Sequence, residues 1–341
     1  TFHKKIKLRS VSIFCRQFVS MLNAGVSILN ALTMLEEQTE DKHLAAGIRE
    51  LRVEVEKGRL MSEVMKEMPG IFLALLADMI TAGEASGNIE RSLDRAAVQF
   101  EKQTKLRGLM KQSMMYPIVL VVIIVIILFV MIGIVIPNYA VMYEDLDTKL
   151  PGITVFLMAM GNFMQERWYL IPVILILLFV LNNIFRKSEA GMKFYGHLAM
   201  RLPIFGKLNI KTYSASFART FSSLIAAGIP MVKALDSAAG TMQNYIIRTK
   251  LLNCKEAIAT GIPLSETLIR EKIFPPMVTH MTAIGEEAGD IEGMLTKVAD
   301  YYDEEVEVGT KTAMAALEPM MILVMAGVVI VLIYAILAPM L

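Results

Sequence analysis

The chain has 341 residues, of which 55% are hydrophobic, and its 34 basic and 33 acidic side chains leave a formal net charge of +1. So even a balance gives no electrostatic reason to expect nucleic acid as a partner. The positive mean hydropathy divides the chain into soluble and membrane parts, where length alone would suggest two or three soluble domains.

The first apolar residues, Phe14, Phe18, Met21 and Leu22, then Ile28, Leu32 and Leu35, step by three and four, the period of an amphipathic helix. Gly25 falls between these two helices, where a left-handed residue stops the first. A third helix is predicted over about residues 43–57, a short fourth over about 61–68 and a fifth over about 71–86. The sixth begins near Ile89 and runs into the membrane. Gly87 and Asn88 separate the last two as a left-handed cap and an N-cap. No alternating strand pattern appears, so residues 1–116 are read as a helical bundle.

Pro117 and Pro137 bracket an uncharged run, 118–136, whose length at about 1.5 Å per residue is about 28 Å, close to the hydrocarbon thickness of a bilayer. Residues 117–137 are therefore the first transmembrane helix. Pro117 removes a hydrogen bond from the long helix and either kinks it or marks a turn. Residues 138–167 form a loop with an interfacial helix begun by Pro151, too short to span alone. A further span, 168–185, has Trp168 and Tyr169 at one end and Arg186 and Lys187 at the other. Residues 186–318 are a second bundle, and 319–339, between Pro319 and Pro339, a third span.

The second bundle and span repeat the first. Residues 14–32 match 217–235 with eight identities in nineteen, among them Arg16 with Arg219 and Gly25 with Gly228. Gly58, Ser62 and Glu63 recur as Gly261, Ser265 and Glu266; after a shift of one, residues 83–97 match 285–299 with seven identities in fifteen. Such self-similarity fixes the architecture before any local reading. Pro230 suits the first position of the helix after Gly228.

Lys102, Lys105, Arg107 and Lys111 precede the first span, and Arg186, Lys187 and Lys193 follow the second, whereas the loop between holds only Lys149 and Arg167. Both bundles are therefore expected in the cytoplasm, and an odd number of spans puts Leu341 on the far side. Cys15 and Cys254 are not repeat equivalents and both fall on the reducing side, so no disulfide is expected. The first apolar run, broken by Arg16, does not read as a cleavable signal.

The sharpest local signal is Gly83-Glu84-Ala85-Ser86-Gly87-Asn88, repeated as Gly285-Glu286-Glu287-Ala288-Gly289-Asp290. Gly87 and Gly289 read as corner caps. Glu84 and Glu286 lie in the last turn of a helix, where an acid opposes the macrodipole by about 0.3–1 kcal/mol, so something should compensate them. Arg16 and Arg219 are the cations kept in the matched blocks. The expectation is that Arg16 pairs with Glu84 and Arg219 with Glu286 inside each bundle, the alternative being a surface role. Acid-rich stretches at Glu36, Glu37, Glu40 and Asp41, and at Asp300, Asp303, Glu304, Glu305 and Glu307, read as solvated faces or as docking sites for a basic partner or a weakly held divalent cation. No EF-hand pattern supports a specific calcium site.

There is no GxxxxGK[ST]: Gly309-Thr310-Lys311-Thr312 lacks the required arrangement. His3, His43, His197 and His280 are scattered without metal-ligand spacing, and no catalytic or cofactor constellation can be assembled. The spans carry no ionisable side chain in their cores, which counts against the runner-up reading, a transporter or channel subunit. A receptor-like signalling scaffold is a third reading, without a kinase or ligand domain to support it.

The blocks FxRxFxxxLxAGxxxxxAL and GExxGxI, each present twice and each copy ending in a membrane helix, resemble the type II secretion system F domain family over nearly the whole chain. The resemblance implies an all-α integral membrane protein of the bacterial inner membrane, a non-enzymatic platform in a type IV pilus or type II secretion machine. Its implied partners are a cytoplasmic hexameric assembly ATPase, a pilin or pseudopilin, other inner-membrane assembly proteins and further copies of itself. The implied role is to couple the ATPase to insertion or removal of pilin subunits.

Overall fold

A computed structural model describes residues 6–135, 152–167, 169–203 and 205–337; these are helices joined by turns, with no strand among them. Pro137, Pro151, Trp168, Pro339, Leu341 and the loop expected over 138–150 lie outside the described residues.

The helices of the first copy are α1 (Leu8–Asn23), α2 (Ile28–Gln38), α3 (Lys42–Glu56), α4 (Met61–Glu67), α5 (Ala74–Ser86) and α6 (Ile89–Val130), the last followed by a π-helical turn, Met131–Val135. Then come α7 (Gly152–Glu166), α8 (Leu170–Lys187) and α9 (Glu189–Arg201). The second copy comprises α10 (Phe205–Ala226), α11 (Met231–Thr241), α12 (Tyr245–Ala259), α13 (Leu264–Glu271), α14 (Pro276–Ala288) and α15 (Ile291–Leu337). The order α1–α6 thus returns as α10–α15, and α9 is an addition ahead of the second copy. The one-residue shift between the copies arises after their fourth helices, where residues 68–73 are matched by a shorter turn, 272–275. Pro230, expected as the first residue of α11, lies one place earlier, as its N-cap.

Several helix ends are set by the same local chemistry in both copies. Gly25, Gly58 and Gly87 have φ of 81°, 88° and 69°, and their equivalents Gly228, Gly261 and Gly289 have 83°, 92° and 72°. Asp41 caps α3 by accepting the N–H groups of His43 and Leu44, and Asn244 caps α12 from the same position.

The chain divides into two compact units. The first comprises Thr1–Leu109 and Gly196–Val308 and so holds α1–α5 and α10–α14 with the first parts of α6 and α15. Its buried core is continuous through the two copies. Phe14 packs on Phe18 and Phe72 with ring centroids 5.6 and 6.1 Å apart, and Phe217 on Phe221 and Phe274 at 5.5 and 4.7 Å, the same trio built twice. Between the copies, Gln99 Nε2 donates to Thr220 Oγ1 at 2.8 Å, Arg95 pairs with Glu292 at 3.1 Å, and Ser237 Oγ donates to Asp78 at 2.5 Å.

The second unit comprises Met110–Tyr195 and Gly309–Leu341. Among the described residues two helical stretches, Ile89–Val135 and Ile291–Tyr334, are long and apolar enough to cross a membrane. Only 11% and 6% of their apolar windows are buried, which separates them from core helices of a soluble protein. Within this unit Ile132 packs against Leu332. Pro117 and Pro319 each lie inside a continuous helix, so the proline marks no chain turn in either copy.

Candidate functional site: the duplicated helix corner and its ion pairs

The corner that ends α5 is built around two glycines with different tasks. Gly87 takes the left-handed conformation, and Asn88 N–H returns to Gly83 C=O at 2.8 Å, the hydrogen bond of a Schellman end. Gly83 is needed for space: a Cβ there would lie 2.8 Å from Ser92 Oγ and 3.0 Å from Ile89 Cα. The α14 corner repeats both features, with Asp290 N–H on Gly285 C=O at 2.9 Å and a Cβ on Gly285 falling 2.9 Å from Ile291 Cα. Asn88 and Asp290 then cap the following helices through the N–H groups of Arg91 and Gly293.

Glu84 does not meet Arg16. It reaches the start of α4, where Oε1 accepts the Met61 N–H at 2.7 Å and Ser62 Oγ donates to Oε2 at 2.5 Å. Glu286 does the same at α13, accepting from Leu264 N at 2.6 Å, from Ser265 N at 3.0 Å and from Ser265 Oγ. The N-cap residues there, Leu60 and Pro263, provide no side-chain cap of their own. Each glutamate therefore offsets its position at the negative end of one helix by closing the positive end of another. The expected Arg16–Glu84 and Arg219–Glu286 pairs are corrected accordingly. Recurrence of Ser62 as Ser265 alongside Glu84 and Glu286 was the signal that could have located this contact.

Arg16 instead forms a bidentate pair with Glu101, 2.6 Å at both Nε and Nη2, and a third bond to Asp94 at 3.0 Å. Arg219 bonds Asp303 at 2.5 Å and Asp300 at 2.8 Å. Glu101 and Asp303 are repeat equivalents at the shifted offset, so the pair is duplicated although the acids differ in length. Its setting is not duplicated. The Arg16 and Glu101 side chains are 40% and 42% exposed, those of Arg219 and Asp303 9% and 18%. The hydrogen bond from Arg16 holds the Glu101 carboxyl below its ordinary range, whereas burial pushes that of Asp303 up despite Arg219 beside it. Burial also acts on Asp300, but the bonds from Lys102 and Arg219 prevail and lower it.

Most of the acid-rich stretches are engaged internally. Glu36 accepts from Arg49 at 2.6 Å and Arg52 at 3.2 Å, Asp41 caps α3, Glu305 pairs with Lys211 at 2.5 Å and Glu307 with Lys105 at 3.6 Å. Lys102 reaches Asp300 across the two copies at 2.6 Å. Glu37 and Glu304 remain exposed. Gly25 and Gly228 sit where expected, each followed by a residue whose N–H returns five residues back, Val26 to Met21 and Ile229 to Leu224. Among the described residues no group of three or more His, Cys, Asp or Glu is placed to hold a metal ion. Cys15 and Cys254 are both buried and free, and burial pushes their thiols up, that of Cys254 to about 11.

The family described as Type II secretion system (T2SS), protein F matches residues 14–137 and 217–339, one match per copy. A type IV pilus assembly protein PilC of Thermus thermophilus is 35% identical over 323 residues, covering 94% of this chain and 79% of the relative. A PilC of Pseudomonas aeruginosa is 31% identical over 327 residues, covering 96% and 87%. A type II secretion system protein F of Aeromonas hydrophila is 31% identical over 345 residues, covering 100% and 88%.

Proposed function

Because the chain belongs to the type II secretion system protein F family, we propose that it is the inner-membrane platform of a type IV pilus or type II secretion machine. It links a cytoplasmic assembly ATPase to the insertion or removal of pilin subunits. The observation that carries this reading is the build of α6 and α15, unbroken helices of 42 and 47 residues. Their first parts lie in the core shared by the copies, through Phe100 and Ala97 on α6 and Val298 and Ala299 on α15. Their later parts are apolar and almost unburied. A force on the soluble helices is therefore delivered directly to the apolar ones, without an intervening loop.

In this reading α8 is a third span. Its 18 residues give about 27 Å, it carries exposed Val173, Ile176 and Phe179, and Arg186 and Lys187 close its last turn. Three spans put both copies of the soluble helices on the cytoplasmic side, in keeping with the basic residues beside them, and the C-terminus on the other. Further copies of the chain assemble about an axis normal to the membrane. Energy in this reading comes from the ATPase, in keeping with a chain that carries no GxxxxGK[ST] loop.

Purification of the tagged chain from native membranes tests this. The assembly ATPase co-purifies, and the chain alone turns over no ATP. Recovery of the chain without any assembly ATPase would remove the platform reading.

A further inference from the structure

Helix α9 leaves the end of α8 through a corner of one residue, and that corner is built to hold one shape. Ser188 Oγ accepts the Gly191 N–H at 3.1 Å and so caps α9. A Cβ on Gly191 would collide with the Phe185 carbonyl, so glycine is what lets the two helices approach this closely. Phe185, Phe194 and Tyr195 form an aromatic cluster with ring centroids 5.6–6.3 Å apart. Arg186 lies over the Tyr195 ring at 5.4 Å, and Tyr195 Oη donates to Asn182 Oδ1 at 2.5 Å.

Two opposite faces of α9 have different fates. Gly196 is buried and its carbonyl accepts from Asn244 Nδ2 at 3.0 Å, the Ala199 carbonyl accepts from Asn209 Nδ2 at 2.7 Å, and Met200 packs against the core. Phe194 and, three, four and seven residues on, His197, Leu198 and Arg201 share the other face and are exposed. The surroundings are basic: from Arg186 to Lys207 the sequence carries five Lys or Arg and one acid, Glu189, which Lys193 engages at 2.7 Å. Large apolar side chains beside an excess of positive charge are the pattern of a helix lying in a membrane interface.

We propose that α9 lies in the cytoplasmic headgroup layer of the bilayer, with Phe194 and Leu198 entering the acyl boundary and Lys187 and Arg201 binding the phosphates of anionic phospholipid. The proposal rests on α8 being a span and adds a second, in-plane contact with the membrane. Position selects the bilayer over a protein partner, because the Phe194 ring meets Phe185 in the last turn of α8 and the exposed face of α9 starts where the apolar helix ends. Tyr195 at that level matches the preference of tyrosine for the membrane–water boundary. Charge selects anionic lipid, since each Lys or Arg near such a surface is attracted to it, whereas a zwitterionic headgroup offers no net charge in return.

The test uses the full chain in discs of phosphatidylcholine and phosphatidylglycerol, with a spin label on one introduced cysteine and collision with oxygen or a water-soluble nickel chelate. Cys15 and Cys254 are buried, so the introduced thiol is the accessible one. Phe179→Cys in α8, Phe194→Cys and Leu198→Cys in α9 and Glu304→Cys in α15 are compared, and Leu198→Cys leaves the aromatic corner whole. Oxygen collisions should exceed chelate collisions at 179, 194 and 198, and the reverse should hold at 304. Water exposure of 194 and 198 with 179 in lipid would overturn the proposal and leave the span intact. Protection of 194 and 198 from both reagents would overturn it in favour of a second copy as the cover. Water exposure of 179 would remove α8 as a span and the proposal with it. Phosphatidylglycerol retained by the purified chain, measured by mass spectrometry, should fall about fivefold for Lys187→Gln or Arg201→Gln, the scale of one cation at an anionic surface, and further for the double variant. Retention unchanged in the double variant would overturn the assignment of anionic lipid.

Discussion

Glu84 and Ser62 join helices α5 and α4 through two bonds in the same direction: Ser62 Oγ donates to the Glu84 carboxylate at 2.5 Å, and the Ser62 backbone N–H donates to it at 3.3 Å. Glu286 and Ser265 repeat both in the second copy. Glu84→Gln should destabilise the chain by about 1.5–3 kcal/mol, the range for hydrogen bonds to a charged group. Ser62→Ala should cost less, because the backbone donors stay in place. Chemical denaturation of the single and double variants should give a strongly non-additive cycle, and independent effects would show that the contact does not couple the helices.

The duplicated arginines should behave differently. Arg219→Ala removes the hydrogen-bonded partner of the largely buried Asp303, leaving it only Lys102 at 4.0 Å, and should cost up to about 3–5 kcal/mol. Arg16→Ala breaks a pair that solvent screens and should cost about 0–1 kcal/mol. Thermal melting of the two variants in the same detergent checks the ordering, and equal losses would contradict the burial argument.

Gly83 and Gly285 should resist even alanine, for want of space and not of backbone freedom. A Cβ at Gly285 meets the backbone of Ile291, which cannot rotate away, so Gly285→Ala should cost about 1–3 kcal/mol. Nothing lies within 4 Å of a Cβ at Gly289, where alanine is opposed only by the left-handed backbone, about 1–2 kcal/mol. Adding Ser92→Gly should relieve Gly83→Ala in part and leave Gly87→Ala unaffected; equal relief of both would refute the steric account.

The two acids facing the arginines should give opposite pH dependences. The Glu101 pKa is lowered on folding, so its contribution is present above the unfolded value and fades as pH falls through the folded one. The Asp303 pKa is raised, so the native state binds the proton more tightly and gains stability as pH falls through the folded value. Melting between about pH 3 and pH 7 should show the advantage of wild type over Glu101→Gln shrinking in acid and its advantage over Asp303→Asn growing. Parallel slopes would contradict the assignment.

Much of the helix order could be read from the sequence because glycine at a left-handed position and apolar residues at helical spacing are local signals. Gly25, Gly87 and their equivalents needed only that. The partners of Glu84 and Arg16 did not yield to the same reasoning. Backbone N–H groups leave no trace in residue type, so a carboxylate that caps another helix looks unpaired in sequence. Glu101 and Asp303 share charge and position but not residue type, so identity between the copies does not mark them as equivalents. The joining of the two copies into one unit was also hidden, since Gln99–Thr220 and Arg95–Glu292 link residues that the repeat does not equate.

The central claim is that this chain is the membrane part on which filament subunits are assembled. Its gene is deleted while the assembly ATPase and the pilin continue to be made, and surface filaments or secreted substrate are then quantified. The account predicts that assembly stops, that pilin accumulates in the inner membrane and that the wild-type chain restores the process. Filaments and secretion at normal levels in the deletion strain would contradict it.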